Sequence, residues 1–441
     1  PGLDEPLHAR LGEIVHRQVE VREPKNRVHS PPLQRPDLPA GRFGIRQTPA
    51  VAAAPAMFVI AVDRQAFSAQ GGYLYGKRTG QILPPGMLGY RPQDILGTTA
   101  FQRIHPDDHE ICRQVLRFDP ARLVMVERAE TPLFFIHREL AAEHGDILDP
   151  HIANVADRER MTQVFAEHRP DVVIHAAAYK HVPLMEKHPS EAVLNNVGGT
   201  RVVAELAGEY GVSTFVLIST DKAVNPTSVM GATKRVTELL VLDLNDRFED
   251  TDFCAVRFGN VLGSNGSVVP IFRDQIRAGG PVTVTHPEMT RYFMTIPEAS
   301  QLVLQAAAIG LGGEVFILDM GEPVRIADLA RDMIRLSGLR ADEIEIVYSG
   351  VRPGEKLFEE LTLDAEEVDK TRHDKIFVGK NDTSELALMR EHMQFLIDAA
   401  RLGDHAAVRQ GLKRIVPRYQ GNVDNVVTLT PARRAIATPV A

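Results

Sequence analysis

Thr220, Asp221 and Lys222 stand side by side in the run Ser219-Thr220-Asp221-Lys222. A hydroxyl, a carboxylate and an ammonium in consecutive positions can pass protons between atoms of a bound substrate without a metal ion. Lys234 follows, with Met230 one helical turn before it, where a thioether cannot take a proton. The plain alternative is a helix cap, with Ser/Thr oxygens on orphan N–H groups and the charges in solvent. A second pair, Glu127-Arg128, follows the apolar run Leu123-Val124-Met125-Val126. A carboxylate there can hydrogen-bond the ribose of a dinucleotide and favours NAD, while the adjacent arginine leaves NADP open. Its plain alternative is a solvated charge pair at a strand end.

These residues need elements to hold them. Buried-strand signals run over 123–126, 171–175, 215–218 and 253–258, each apolar nearly throughout. Between them, 133–142, 192–210 and 233–244 carry helical spacing. All-apolar strands alternating with helices predict an α/β protein with a doubly wound, parallel, Rossmann-type sheet and a smaller C-terminal substrate-binding portion. Ligands of such sheets sit at the carboxyl ends of the strands, so functional residues are expected after Val126, His175, Ile218 and Phe258.

The chain has 441 residues, 44% apolar and 24% charged, which excludes a collagen-like repeat or a fully disordered chain. A net charge of −8 provides no overall basic field for nucleic acid or an anionic membrane. Cys112 and Cys254 are too few for a disulfide framework or a zinc site, so no metal is expected and a reducing cytoplasm is the default. No run approaches the ~20 apolar residues of a membrane helix. Residues 1–55, punctuated by proline and with a weak helical pattern over 11–21, read as a flexible lead-in, and 426–441 as a flexible tail. Helical stripes over 386–396 and 406–415 are expected to pack on the domain or on a second subunit, and a homo-oligomer is left open.

Longer motifs add a resemblance. His175-Ala-Ala-Ala-Tyr-Lys-His-Val-Pro-Leu-Met-Glu186, Ile218-Ser-Thr-Asp-Lys-Ala-Val-Asn-Pro-Thr227 and Val229-Met-Gly-Ala-Thr-Lys-Arg235 occur in that order. Arg257-Phe-Gly-Asn-Val-Leu-Gly-Ser264, Thr290-Arg-Tyr-Phe-Met294 and Gly350-Val-Arg-Pro-Gly-Glu-Lys356 follow. Over residues 111–420 the chain resembles the CapD-like polysaccharide-biosynthesis family. These are extended short-chain dehydrogenase/reductases acting as nucleotide-sugar 4,6-dehydratases, notably on UDP-N-acetylglucosamine. Ser219 and Lys234 resemble the serine and lysine of a Ser–Tyr–Lys set whose tyrosine position holds Met230, as in one branch of the family.

The resemblance implies NAD or NADP as cofactor, a UDP-sugar as substrate, and transient oxidation at C4. Thr220 would help remove the C4 hydroxyl proton, directly or through Lys234. Asp221 would be the general acid on the C6 hydroxyl. Lys222 would take the C5 proton, with its charge lowered by burial or a neighbouring cation. Cofactor contacts are expected from Glu127, Arg128, Asn154, Val155, Ala176, Ala177, Ala178, Ser219 and Lys234, with Asn154 standing where the family usually has Asp. Arg291 and Arg352 suit a diphosphate because a guanidinium fork matches two phosphate oxygens. Asn260 would add a hydrogen bond there, Glu355 would meet the nucleoside ribose, Lys180 and His181 the sugar, and Asn196 would order the site.

One part of the pattern is missing. The family opens its domain with a strand and a Gly-rich phosphate turn, and no G-x-x-G-x-x-G precedes Glu110-Ile-Cys-Arg-Gln-Val-Leu116. Instead, residues 57–109 resemble a piece of a PAS sensor domain, through Leu88-Gly-Tyr-Arg-Pro-Gln-Asp-Ile-Leu-Gly97 and Ile104-His-Pro-Asp-Asp-His109. The expected division is therefore a lead-in (1–55), a PAS-like fragment (56–110), a dehydratase domain (111–375, with substrate-binding parts mainly 257–370), C-terminal helices (376–425) and the tail. The leading reading is an NAD(P)-dependent 4,6-dehydratase. The alternative is a chimeric or degenerate homologue that binds UDP-sugar, holds cofactor poorly and uses its front segment for sensing or interaction.

Overall fold

The computed structural model describes residues 56–60, 106–264, 266–340, 342–362, 368–379 and 383–421. Its centre is a nine-stranded sheet. In chain order the strands are β1 (Ala56–Ile60), β2 (Arg122–Glu127), β3 (Leu148–Ile152), β4 (Val172–His175), β5 (Thr214–Ile218), β6 (Asp252–Arg257), β7 (Glu314–Leu318), β8 (Val368–Lys370) and β9 (Ile376–Gly379). Their spatial order is β8-β9-β7-β6-β5-β4-β1-β2-β3. The strands from β3 to β7 pair in parallel, and β9 and β8 close one edge antiparallel.

Along the parallel strands successive side chains enter opposite cores, as the two-residue strand period requires. Val124 and Val126 of β2, with Phe215 and Leu217 of β5, belong to one core. Leu123 and Met125, with Val216, belong to the other. The first core lies under helices α3 (Arg158–His168), α4 (Thr200–Tyr210), α5 (Val229–Arg247), α7 (Thr383–Arg401) and α8 (His405–Ile415). The second lies under α1 (Pro106–Leu116), α2 (Glu130–His144) and α6 (Ile296–Ile309). The C-terminal helices thus pack on the sheet domain. A third, smaller core joins Phe272, Val282, Met289, Ile326 and Ile334 beside the carboxyl ends of the strands.

Two findings revise the expected order of elements. A first strand is present: β1 runs between β2 and β4, with Ile60 level with Val126 and His175. The strand order therefore reverses at β1/β4, the switch point where doubly wound sheets bind ligands. A boundary at 110/111 separates this strand from the sheet it joins, and β9 lies beyond residue 375. The glycines at 71, 72, 76 and 80, residues 61–105 and the weak pattern over 11–21 lie outside the described residues. Secondly, the helix expected over 192–210 opens with a π-helical stretch, Val193–Gly199, before α4. Gly199 packs so closely on Val155 that a Cβ would sit 2.7 Å from Val155 Cγ2, which puts a side chain out of reach there.

Helix α5 is buried from Val229 to Leu244 because the sheet lies on one side and α7 and α8 on the other. Its first turn is held by the Ser228 hydroxyl, which accepts from Gly231 N at 3.1 Å, and by Glu186 Oε1, which accepts from Val229 N at 2.6 Å.

Candidate functional site

A cavity of about 620 Å³ opens at the carboxyl ends of β4, β5 and β6, bounded outside by the third core. Ser219, Thr220, Lys222, Met230, Lys234 and Asn260 are among the residues lining it. Thr220 caps a short turn, Asp221–Ala223, as β5 ends. Asp221 is fully buried, its N–H donating to Phe258 O at 3.1 Å. Its Oδ1 accepts from the Thr220 hydroxyl at 2.8 Å and the Lys222 ammonium at 2.9 Å. Lys222 also donates to Asn260 Oδ1 at 3.2 Å. Asp221 Oδ2 is buried with no hydrogen-bond partner among the described residues.

The charge on Lys222 differs from expectation. Burial opposes the ammonium, but Asp221 and Glu359 outweigh burial and Arg291, so its pKa is raised. Lys222 stands as a charged partner of Asp221, and not as a neutral amine. Lys234 is the lysine whose pKa falls, to about 8, because burial outweighs the pull of Glu238. Its Nζ donates to Ile218 O at 2.5 Å.

Ser219 turns inward. Its hydroxyl donates to Glu238 Oε1 at 2.6 Å, and Glu238 also accepts from Arg257 at 2.8 and 2.9 Å and from Arg235 at 3.0 Å. Burial works to raise the Glu238 carboxyl, yet the two guanidiniums and Ser219 hold it at about 2. This network lies behind the cavity and was not singled out from the sequence. Its signal was the Arg235/Glu238 pair, three residues apart on a helix too buried to solvate either charge.

The remaining expected residues divide by position. Ala176, Ala178, Lys180 and His181 line the cavity, whereas Ala177 is in the core. Asn196 is buried below it, bonding Tyr179 N at 2.7 Å, Tyr179 O at 3.1 Å and Thr233 Oγ1 at 3.0 Å. It clamps the segment after β4 to α5 without facing the cavity. Glu127 accepts from Ala129 N at 2.8 Å, and Arg128 donates to the Tyr179 hydroxyl at 2.7 Å. Asn154 turns on Ala156 N at 2.9 Å, and Val155 is buried. These four residues cluster at the ends of β2 and β3, on the other side of the switch point from β4. Arg352 and Glu355 line the cavity, with Arg352 half exposed. Arg291 also lines it, but its fork is occupied: its NH1 and NH2 groups donate to Thr290 O, Leu357 O and Lys356 O at 2.7, 3.3 and 2.9 Å. In this state Arg291 braces the loop after Arg352.

Away from the cavity, Asp149, His151 and His168 have ligand atoms within 4.8 Å of one another. Their polar atoms are already engaged. His151 Nε2 lies 2.7 Å from His168 Nε2, Arg160 faces His151 Nδ1 at 3.5 Å, and Arg122 bonds Asp149 at 2.9 Å. Two guanidiniums beside the cluster oppose a cation.

Residues 108–381 match the family described as polysaccharide biosynthesis protein. The chain is 57% identical over 275 residues to the capsular polysaccharide biosynthesis protein CapD of Staphylococcus aureus, covering 62% of this chain and 46% of that one. It thus spans less than half of that relative. It is 34% identical over 246 residues to a UDP-N-acetylglucosamine 4,6-dehydratase (inverting) of Campylobacter jejuni, covering 55% of this chain and 70% of that protein. Among solved structures, Pen from Bacillus thuringiensis superposes with a TM-score of 0.58 at 33% identity, covering 62% of this chain and 84% of the other.

Proposed function

The chain belongs to the polysaccharide biosynthesis protein family, and from that membership and the chemistry of the cavity we propose that it is a nucleotide-sugar 4,6-dehydratase acting on a UDP-N-acetylhexosamine. The observation that carries this reading is the Thr220–Asp221–Lys222 cluster on one buried carboxylate, with Met230 where a proton-transferring side chain would otherwise stand.

A nicotinamide cofactor suits the donor set. Lys234 gives one of its three N–H donors to Ile218 O, leaving two suited to ribose hydroxyls. The small side chains of Ala176 and Ala178 line the cavity beside the switch point. When bound, the nicotinamide would take hydride from sugar C4 and return it to C6.

The protein's own task is proton transfer. Asp221 and Lys222 share one exchangeable proton across 2.9 Å. Moving it to the carboxylate leaves an amine that takes the C5 proton and an acid that protonates the departing C6 hydroxyl. The pair then ends as it began, and water is lost. This reconciles a charged resting Lys222 with the need for a base. Thr220 passes the C4 hydroxyl proton to Lys234, at about 8 and neutral at that moment. The same one proton equivalent is given back at C5 when hydride returns to C6, so that every protein group ends as it began. The preference between NAD and NADP is part of the proposal: Glu127 favours NAD.

Incubation with UDP-N-acetylglucosamine and each dinucleotide, followed by mass spectrometry, tests the reading. A product lighter by one water supports it. Sugar-nucleotide binding without dinucleotide binding would overturn it in favour of a chain that has lost its oxidant.

A further inference from the structure

Lys222 is held from two sides. Besides Asp221 Oδ1 at 2.9 Å, Glu359 Oε1 stands 3.8 Å from its Nζ. The same Glu359 oxygen is 3.7 Å from Arg291 Nε. The Glu359 side chain is only 3% exposed, and its Oε2 is buried with no hydrogen-bond partner among the described residues. A carboxylate so placed is costly unless nearby cations compensate it, and here Lys222 and Arg291 do so.

Glu359 sits on the segment 350–360, which also carries Arg352 and Glu355. Further bonds fasten this segment to the chain just after Lys222. Lys356 Nζ donates to Val224 O at 2.8 Å, Thr227 Oγ1 to Gly354 O at 3.0 Å, and Asn225 Nδ2 to Glu360 Oε2 at 3.3 Å. Asn225 takes up a left-handed backbone, with φ of 39°. The proton-transfer turn and the segment proposed to meet the sugar nucleotide are therefore joined along their length.

We propose that Glu359 is a positioning residue: it holds the Lys222 ammonium against Asp221 and ties that placement to the loop bearing Arg352 and Glu355. The proposal rests on the dehydratase reading. The charged groups facing Lys222 are Asp221, Glu359 and Arg291, with Asn260 neutral beside them. Burial and Arg291 oppose the ammonium while the two carboxylates favour it. Lys234 answers to burial and Glu238 and not to Glu359.

The test is Glu359→Gln in the full chain, which keeps the size and removes the charge. Competitive acetylation with peptide mass spectrometry reads the pH midpoint at which Lys222 becomes reactive. That midpoint should fall by about one unit or more. Dehydration kcat should fall about tenfold or more while KM stays within about threefold. Glu359→Asp should recover part of both, and it serves in place of the glutamine variant if that one does not fold. An unchanged Lys222 midpoint overturns the proposal, and so does a raised KM with kcat intact, which marks a residue that only orders the loop. If the unmodified protein does not dehydrate the sugar, the dehydratase reading fails, and the acetylation midpoint still decides whether Glu359 governs Lys222.

Discussion

Arg235 and Glu385 meet inside the protein at 2.7 Å, although 150 residues separate them in the chain. Arg235 is on α5, one residue after Lys234, and Glu385 is in the first turn of α7. Arg235 also reaches Glu238, so the C-terminal helix is wired through one guanidinium to the network beneath Ser219.

Removing the C-terminal partner should therefore be felt at the site. Glu385→Gln leaves a buried guanidinium half compensated, and a cost of about 3–5 kcal/mol is expected. Urea unfolding followed by circular dichroism measures it. A loss within ~0.5 kcal/mol would mean that water or a rearranged partner takes over.

Asp221→Asn keeps the shape of the turn but removes the carboxylate to which the Lys222 proton must move. Sugar-nucleotide affinity should be retained while dehydration falls about 100-fold or more. Calorimetry for binding and mass spectrometry for product separate the two effects. Retained dehydration would refute the acid role of Asp221.

Lys234 should make stability depend on alkaline pH. Its pKa is lowered from 10.5 to about 8 in the folded protein, so between those values the unfolded chain binds more protons. Stability should then rise with pH across that window and be lowest, with respect to this group, below it. Lys234→Met should abolish activity yet stabilise the protein at neutral pH by about 1–3 kcal/mol. The gain should vanish on the alkaline side, as thermal melts at several pH values would show.

Gly231 lies where the turn passes over α5, and a Cβ there would overlap the Lys222 carbonyl oxygen. Gly231→Ala should cost about 1–3 kcal/mol and displace the turn from Thr220 to Ala223. Activity should fall more than tenfold while the fold is retained. Unchanged activity would show that the turn has room to move.

The alternating sheet was legible because each parallel strand fills both cores, which forces short apolar runs such as 172–175 and 215–218. The cluster from Thr220 to Lys234 stood out only through the longer motifs around it, because by spacing alone a Ser/Thr cap with solvated charges accounts for it as well, and Thr220 does cap the turn. Other features were hidden by distance. β1 is a five-residue run separated from its helix by residues 61–105, and no local pattern announces that Ile60 will pair with both Val126 and His175. The occupied fork of Arg291 depends on carbonyl groups 65 and 66 residues away. The raised pKa of Lys222 is due to Asp221 beside it and to Glu359, a residue far along the chain that spacing does not connect to it. Sequence names a side chain's chemistry, whereas its protonation belongs to whatever the fold brings alongside.

The cap of α5 has a consequence in time. Glu186 holds the first turn of that helix, and Arg409, 223 residues later, bonds both the carboxylate and the carbonyl of Glu186 at 2.9 and 2.5 Å. On a ribosome adding about 5–20 residues per second, Glu186 waits roughly 10–45 s for that partner. Until the last helices emerge, the nascent chain can hold a formed sheet whose helix α5, which bears Met230 and Lys234, is not yet fastened. A chain cut short near its end would therefore be expected to emerge inert, with the apolar face of α5 that α7 and α8 cover left open to the quality control that looks for exposed core.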